Sequence, residues 1–250
     1  MLLCLKNRVI LASLRIRYLY GMIALVTGAT RGIGKASILA LAQLGYRPAF
    51  VARPSQHLQE LLEEIKGSNP IFIEGDLRDG VSIAALNGKL ATEGLVPDII
   101  ILNAGIFTPG LVDEMTATPL QDALSHNFTP ALETVQPWIA SMKERNAGRI
   151  FFIGSIATRN PRPEAAPYVL SKALLTSYAE LLFHSLRAHN VSVTRIIPGA
   201  VDTDTWAGLD VPRAHFIPAA DVAQLIASMA QLAPQTVPEE LILRPTDPNW

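Results

Sequence analysis

Tyr168 and Lys172 stand four residues apart in the run Pro167-Tyr168-Val169-Leu170-Ser171-Lys172. On a helix that spacing puts both side chains on one face. A phenol titrates near pH ~10 and is a poor proton donor or acceptor at neutral pH. A neighbouring ammonium favours the phenolate and draws that pKa down, which makes the pair a general acid–base. Ser155 precedes the tyrosine by 13 positions, in Ile153-Gly154-Ser155-Ile156, just past an apolar run. A hydroxyl there can donate to a carbonyl oxygen. Each feature has an ordinary alternative: a Tyr and a Lys one turn apart are common on helix surfaces, and such a serine is commonly a cap or a turn residue.

A second chemistry is written between Ile23 and Gly34, in the stretch IALVTGATRGIG. It reads as a strand, a glycine turn and the start of a helix. Gly28 lets the chain leave the strand tightly, Gly32 removes a side chain where backbone must approach a pyrophosphate, and Gly34 lets the helix pack closely. Thr30, Arg31 and Ile33 fill the rest of the turn. A helix N-terminus offers free N–H groups and a partial positive charge to an anion. The spacing is TGxxxGxG rather than GxGxxG, and the plain alternative is a tight turn. The next strand-like run ends Ala52-Arg53, where an NAD site would carry an acid for the ribose 2′-hydroxyl. Arg53 and Arg31, with no carboxylate, suit a 2′-phosphate, so NADP(H) is preferred and NAD(H) remains possible.

The elements that must position these groups alternate. Strand-like runs are Ile23–Val26, Arg47–Ala52, Ile71–Glu74, Asp98–Leu102, Arg149–Ile153, Val191–Ile197 and Leu241–Leu243. Helical stretches lie between them: Ile33–Leu44, His57–Lys66, Val81–Ala91, Leu120–Lys143, Ala166–Ala188 and Ala220–Leu232. Continuous apolar strands separated by helices indicate a parallel sheet covered on both faces, so the expected fold is α/β, a single doubly wound Rossmann-type domain with about seven strands.

The chain has 250 residues, ample for one large domain. Hydrophobic residues make up 49% and charged residues 17%, which is too apolar for a disordered chain. With 21 Lys and Arg against 22 Asp and Glu, no basic excess suggests a nucleic-acid binder. The single cysteine, Cys4, excludes an internal disulfide framework and any multi-cysteine metal site, and no metal is expected. Residues 1–20 carry Lys6, Arg8, Arg15 and Arg17 and no acid. That stretch reads as an N-terminal extension over 1–21, ahead of a catalytic domain over 22–250. Its readings are a mis-assigned start, an extra helix, a targeting segment or a surface-lying amphipathic helix.

Taken together, these residues resemble the short-chain dehydrogenase/reductase family over nearly all of Met22 to Pro245. The resemblance rests on TGATRGIG at Thr27–Gly34, Asn103-Ala104-Gly105 after the fourth strand, Asp76-Leu77, Asn127, Ser155, Tyr168 and Lys172, and Pro198-Gly199-Ala200-Val201-Asp202-Thr203. It implies an oxidoreductase that interconverts a carbonyl and an alcohol by hydride transfer. Tyr168 would be the proton donor, Ser155 would stabilise the developing oxyanion, and Lys172 would lower the phenol pKa and hold the nicotinamide ribose. Asn127, in a helix kinked near Pro130, would position a water that refills the proton chain. Asp76 and Leu77 would meet the adenine, Asn103, Ala104 and Gly105 the adenosine side, and Pro198, Gly199, Val201 and Thr203 the nicotinamide. An NAD-linked alcohol dehydrogenase and a non-catalytic NADP-binding regulator are the alternatives. The resemblance also implies a homodimer or homotetramer acting on a small-molecule substrate, and the single cysteine fits a reducing compartment, so a cytoplasmic location is expected. Phe107, Ile156, Ala157 and Glu164 are candidates near the cleft, and Trp206 and Phe216 are either substrate walls or packing within the segment that follows Thr203.

Overall fold

The computed structural model describes residues 21–247, so all but the last residue of the extension expected over 1–21 lies outside the described residues. Nine strands and eight α-helices form the described part: β1 (Met22–Val26), α1 (Gly32–Gln43), β2 (Tyr46–Ala52), α2 (Gln56–Glu64), β3 (Ile71–Glu74), α3 (Val81–Thr92), β4 (Ile99–Leu102), α4 (Ala117–Asn127), α5 (Thr129–Val135), α6 (Ile139–Arg145), β5 (Gly148–Ile153), α7 (Ala166–Leu186), β6 (Val191–Pro198), β7 (Val201–Asp202), β8 (Ile217–Pro218), α8 (Ala219–Ala230) and β9 (Glu240–Leu243).

Seven of the strands make one parallel sheet in the order β3-β2-β1-β4-β5-β6-β9. Both faces are buried, and β1 shows why its run is apolar without alternation. Ile23 and Leu25 enter one core with Val51, Ile100, Phe152 and Leu182. Ala24 and Val26 enter the other with Ile38, Phe50, Phe151 and Ile226. A strand covered by helices on both sides needs an apolar residue at every position. The strand order reverses between β1 and β4, and the crevice outside the carboxyl ends of those strands is where open α/β sheets bind ligands.

The doubly wound Rossmann-type fold is as expected, and most strand limits agree within a residue. The main difference is the long helix expected over Leu120–Lys143. It is three α-segments with a 3₁₀ turn at Gln136–Trp138. Phe128, at φ −119 and ψ −54, separates α4 from α5, and proline sits near the start of both α5 and that 3₁₀ turn. Pro130 and Pro137 each lack the N–H that a continuous helix would use. A second, two-stranded pairing of β7 with β8 was not expected from the sequence; it ties Val201 to Ile217 and so braces the segment after Thr203.

Candidate active site

The site is built at the ends of β1, β4 and β5 and on the first turn of α7. Gly28 has φ +67 and Gly32 φ +51, a region that L side chains seldom occupy. A Cβ on Gly34 would lie 2.0 Å from the Gly28 carbonyl oxygen, so α1 is pressed directly onto the turn that precedes it. A Cβ on Gly32 would lie 2.9 Å from Thr203 Cγ2, which puts Thr203 over the helix N-terminus. That explains the glycine more directly than approach to a pyrophosphate alone.

Asn103 locks this turn to β4. Its Nδ2 donates to the carbonyls of Thr27 and Gly28, both at 3.1 Å, and its backbone N–H donates to Thr27 Oγ1 at 2.9 Å. Ala104 N–H donates to the same hydroxyl at 3.0 Å. Thr27 is 3% exposed and works as a hub between the two strand ends. Sequence reasoning passed over it, although its place immediately before Gly28 was the available signal. Arg31 N-caps α1 without a side-chain cap, leaving the first N–H groups of a 12-residue helix to the cleft. This cradle, with its two positive-φ glycines and closed-off third, fits a dinucleotide phosphate.

At the far side of the cradle, Asp76 accepts from the Arg78 guanidinium at 2.7 Å and from the Arg78 backbone N–H at 2.9 Å. Chiefly through that side-chain bond, the carboxyl is held down at about 2, so it stays an acceptor at every working pH. Arg78 was not among the expected residues; its position two after Asp76 was the only hint. Arg53 is exposed beside this pair and acts on Asp76 through space. Arg31 differs from expectation: its guanidinium lies 3.5 Å from Asp204 on the segment after Thr203, each side chain half-exposed. A 2′-phosphate would share or displace that carboxylate. Leu77 packs on the core beneath.

The residues expected to do acid–base chemistry, Ser155, Tyr168 and Lys172, come together around α7. Ser155 caps a 3₁₀ turn, its Oγ accepting from Ala157 N–H at 3.2 Å, and it hydrogen-bonds the Tyr168 phenol. Capping and site geometry thus coexist in one hydroxyl. Lys172 is 4% exposed and its Nζ donates to the Ile153 carbonyl, at the end of β5, at 3.0 Å. Within the protein itself two influences act on the phenol. Burial pushes the Tyr168 phenol up, and the opposing influence is the hydrogen bond with Ser155. Burial also brings the Lys172 ammonium down to about 8, because charge is disfavoured away from water.

That shift carries a stability consequence. Between about pH 8 and 10.5 the unfolded chain holds the Lys172 proton and the folded chain does not, so stability rises with pH there. Below about pH 8 the full cost of burying the charge is present. Chemical denaturation of wild type and Lys172→Met at pH 7 and 10.5 should show wild type gaining about 3 kcal/mol relative to the variant. An unchanging difference would mean the ammonium is not disfavoured by burial.

Asn127 is 1% exposed and its amide is committed. Its Nδ2 donates to the Ile106 carbonyl at 3.1 Å and to Ser171 Oγ at 2.8 Å, and its Oδ1 accepts from Ile106 N–H at 2.8 Å. Its side-chain donors are therefore not available to a water. The amide pins the loop after Gly105 to α4. A Cβ on Gly105 would lie 2.6 Å from Asn127 Oδ1 and 3.1 Å from Lys172 Nζ, so this glycine keeps the loop close to both. Pro198 closes β6, and Gly199 N–H donates to the Leu243 carbonyl at 2.7 Å. Of the cleft candidates, Phe107 meets the Tyr168 ring with centroids 5.3 Å apart. The Trp206 and Phe216 rings meet at a tilt of 53° with centroids 5.0 Å apart, Phe216 is buried and the Trp206 indole N–H donates to the Val201 carbonyl, so both pack within this segment.

Comparison with known proteins adds to this geometry. The family model described as short chain dehydrogenase matches residues 22–212. The 2,3-dihydro-2,3-dihydroxybenzoate dehydrogenase of Bacillus subtilis is 29% identical over 186 residues, 74% of this chain and 71% of that protein. The sepiapterin reductase of Chlorobaculum tepidum is 27% identical over 234 residues, 90% of this chain and 96% of its own. Among solved structures, a closed form of serine dehydrogenase complexed with NADP+ superposes with TM-score 0.77 and 25% identity, covering 88% of this chain and 94% of that one.

Proposed function

The chain belongs to the short-chain dehydrogenase family and is an oxidoreductase of CH–OH and carbonyl groups; from there we propose that it depends on NADP(H) and uses Tyr168 as general acid and base. The observation that carries this reading is the Ser155–Tyr168 hydrogen bond beside buried Lys172, next to a glycine cradle that fits a dinucleotide.

A bound nicotinamide dinucleotide supplies the electron pair that the carbonyl carbon receives in reduction. Gly28, Thr30, Arg31, Gly32, Ile33 and Gly34 would hold its pyrophosphate, and Arg53 with Arg31 its 2′-phosphate. Asp76, Leu77, Asn103, Ala104 and Gly105 would line the adenosine side. Pro198, Gly199, Val201 and Thr203 would line the nicotinamide side. Tyr168 passes its proton to the carbonyl oxygen; its raised pKa keeps it protonated at neutral pH. The Ser155 hydroxyl, which accepts from Ala157 and hydrogen-bonds the Tyr168 phenol, would turn its hydrogen to the developing oxyanion as the phenol proton leaves. Lys172 uses one ammonium hydrogen on Ile153 and keeps two, enough for a ribose hydroxyl and the phenol. Asn127 serves by holding Ile106 and Ser171 in place; a water that refills the proton path would use main-chain groups at the kink.

A panel of carbonyl compounds followed by loss of NADPH absorbance tests the reaction. Arg–phosphate contacts should favour NADPH over NADH in kcat/KM by about tenfold or more. The Arg31–Asp204 pair favours a second reading, an NAD-linked alcohol dehydrogenase, because it occupies one of the two guanidinium groups. An NADH preference in the same assay would select that reading.

A further inference from the structure

From Ile106 to Val112 the chain builds a strap beside the phenol. It is anchored at one end by the paired Asn127–Ile106 bonds. At the other end Gly110 N–H donates to the Glu164 carbonyl at 2.9 Å, Ala166 N–H donates to the Gly110 carbonyl at 3.0 Å, and Val112 N–H donates to the Pro163 carbonyl at 3.0 Å. These bonds fasten the strap to the residues that lead into Tyr168. A loop held at both ends gives its side chains defined positions.

Those side chains are apolar and open to solvent. Ile106 is 47% exposed, Phe107 51%, Leu111 41% and Val112 55%. Four exposed large apolar side chains within seven residues, next to the Tyr168 ring, form the kind of patch that marks a binding surface. The Phe107 ring leans on the Tyr168 ring at an interplanar angle of 57°, which leaves an edge and a face for another ring. The residues adjoining the strap carry both signs: Asp113 and Glu114 follow it, Glu164 faces it through the backbone, and the exposed Arg162 stands two residues before Glu164. The strap's own side chains, Ile106 to Val112, bear no charge, so covering them with a charged group would cost its desolvation while covering them with an uncharged apolar one would not.

We propose that Phe107 and the strap around it select neutral ketones carrying an aryl or bulky alkyl arm next to the carbonyl, and the corresponding alcohols. This rests on the carbonyl reductase reading of the same site. The reaction is unchanged: the carbonyl carbon gains hydride from NADPH, the oxygen gains the Tyr168 proton, and alcohol and NADP+ leave.

The test compares acetophenone, butan-2-one and 2-oxobutanoate in wild type, Phe107→Ala and Phe107→Leu. Wild type should turn over acetophenone with kcat/KM at least about tenfold above 2-oxobutanoate. Phe107→Ala should lower the acetophenone value roughly five- to tenfold, mainly through KM, and move butan-2-one less than about threefold. Phe107→Leu should fall between, and thermal melting should not change for either variant. Saturation-transfer NMR, with NADP+ and acetophenone present, reads the phenyl contact without turnover and should weaken in Phe107→Ala. Equal losses on both ketones, or a preference for 2-oxobutanoate, would overturn the substrate assignment while leaving the reductase reading intact. No turnover of any compound, with the Phe107-dependent phenyl contact retained, would instead overturn the reductase reading and keep the aryl site.

Discussion

Replacing Tyr168 with phenylalanine is expected to lower kcat by about 10²–10⁴-fold while leaving NADPH affinity, measured by fluorescence titration, within about twofold. The ring stays, so its contact with Phe107 at 5.3 Å and the packing of α7 are preserved. The hydroxyl goes, and with it the proton source and the partner of Ser155. The wild-type pH dependence should carry the same signature. Burial raises the phenol pKa, so reduction should stay level through neutral pH and fall only in alkali, where the phenolate forms. Oxidation needs the phenolate and should climb with pH over the same range. Retention of more than about a tenth of the activity in Tyr168→Phe would move the acid–base role to another group.

Gly34→Ala should be the most damaging small substitution in the cradle. The added carbon would stand 2.0 Å from the Gly28 carbonyl and 2.7 Å from Asn103 Nδ2, so it meets backbone on one side and the lock residue on the other. Neither can retreat without parting α1 from β4. A stability loss of about 3 kcal/mol follows from forced overpacking of this kind. In a chain of this size that is roughly 6–12 °C in Tm by scanning calorimetry. Dinucleotide binding should weaken by more than about tenfold, because the N–H groups of the helix start would be displaced from the anion. Gly88 provides the control: a Cβ there meets nothing within 4 Å, so Gly88→Ala in α3 should hold or slightly raise stability. A Gly34→Ala protein that melts and binds like wild type would show that α1 is free to shift from the turn.

The alternation of apolar runs with helical stretches was enough to read the parallel sheet, because strands covered on both faces must be apolar throughout. The glycine turn was equally legible, since positive-φ positions and close backbone approach admit little else than glycine. Proline at 130 announced a kink, but the additional break at Gln136–Trp138 was passed over although Pro137 lies in it and removes a helix N–H in the same way. Phe107 stood in the sequence as one cleft candidate among several, with nothing to set it apart until its ring met that of Tyr168.

What the sequence by itself determined is the set of chemical groups and their order along elements: a phenol and an amine one helical turn apart, a hydroxyl at a strand end, and glycines where a helix begins. Those follow from local rules of spacing and conformation. Only the tertiary structure decided which partners these groups have. The Lys172 ammonium bonds the Ile153 carbonyl, Asn127 spends its amide on Ile106 and Ser171, Arg31 faces Asp204, and Asp76 is held by Arg78. Many of these partners lie tens of residues away in the chain, or more. Distances between such groups, and the burial that shifts their proton affinities, exist only once the sheet has brought the strand ends together.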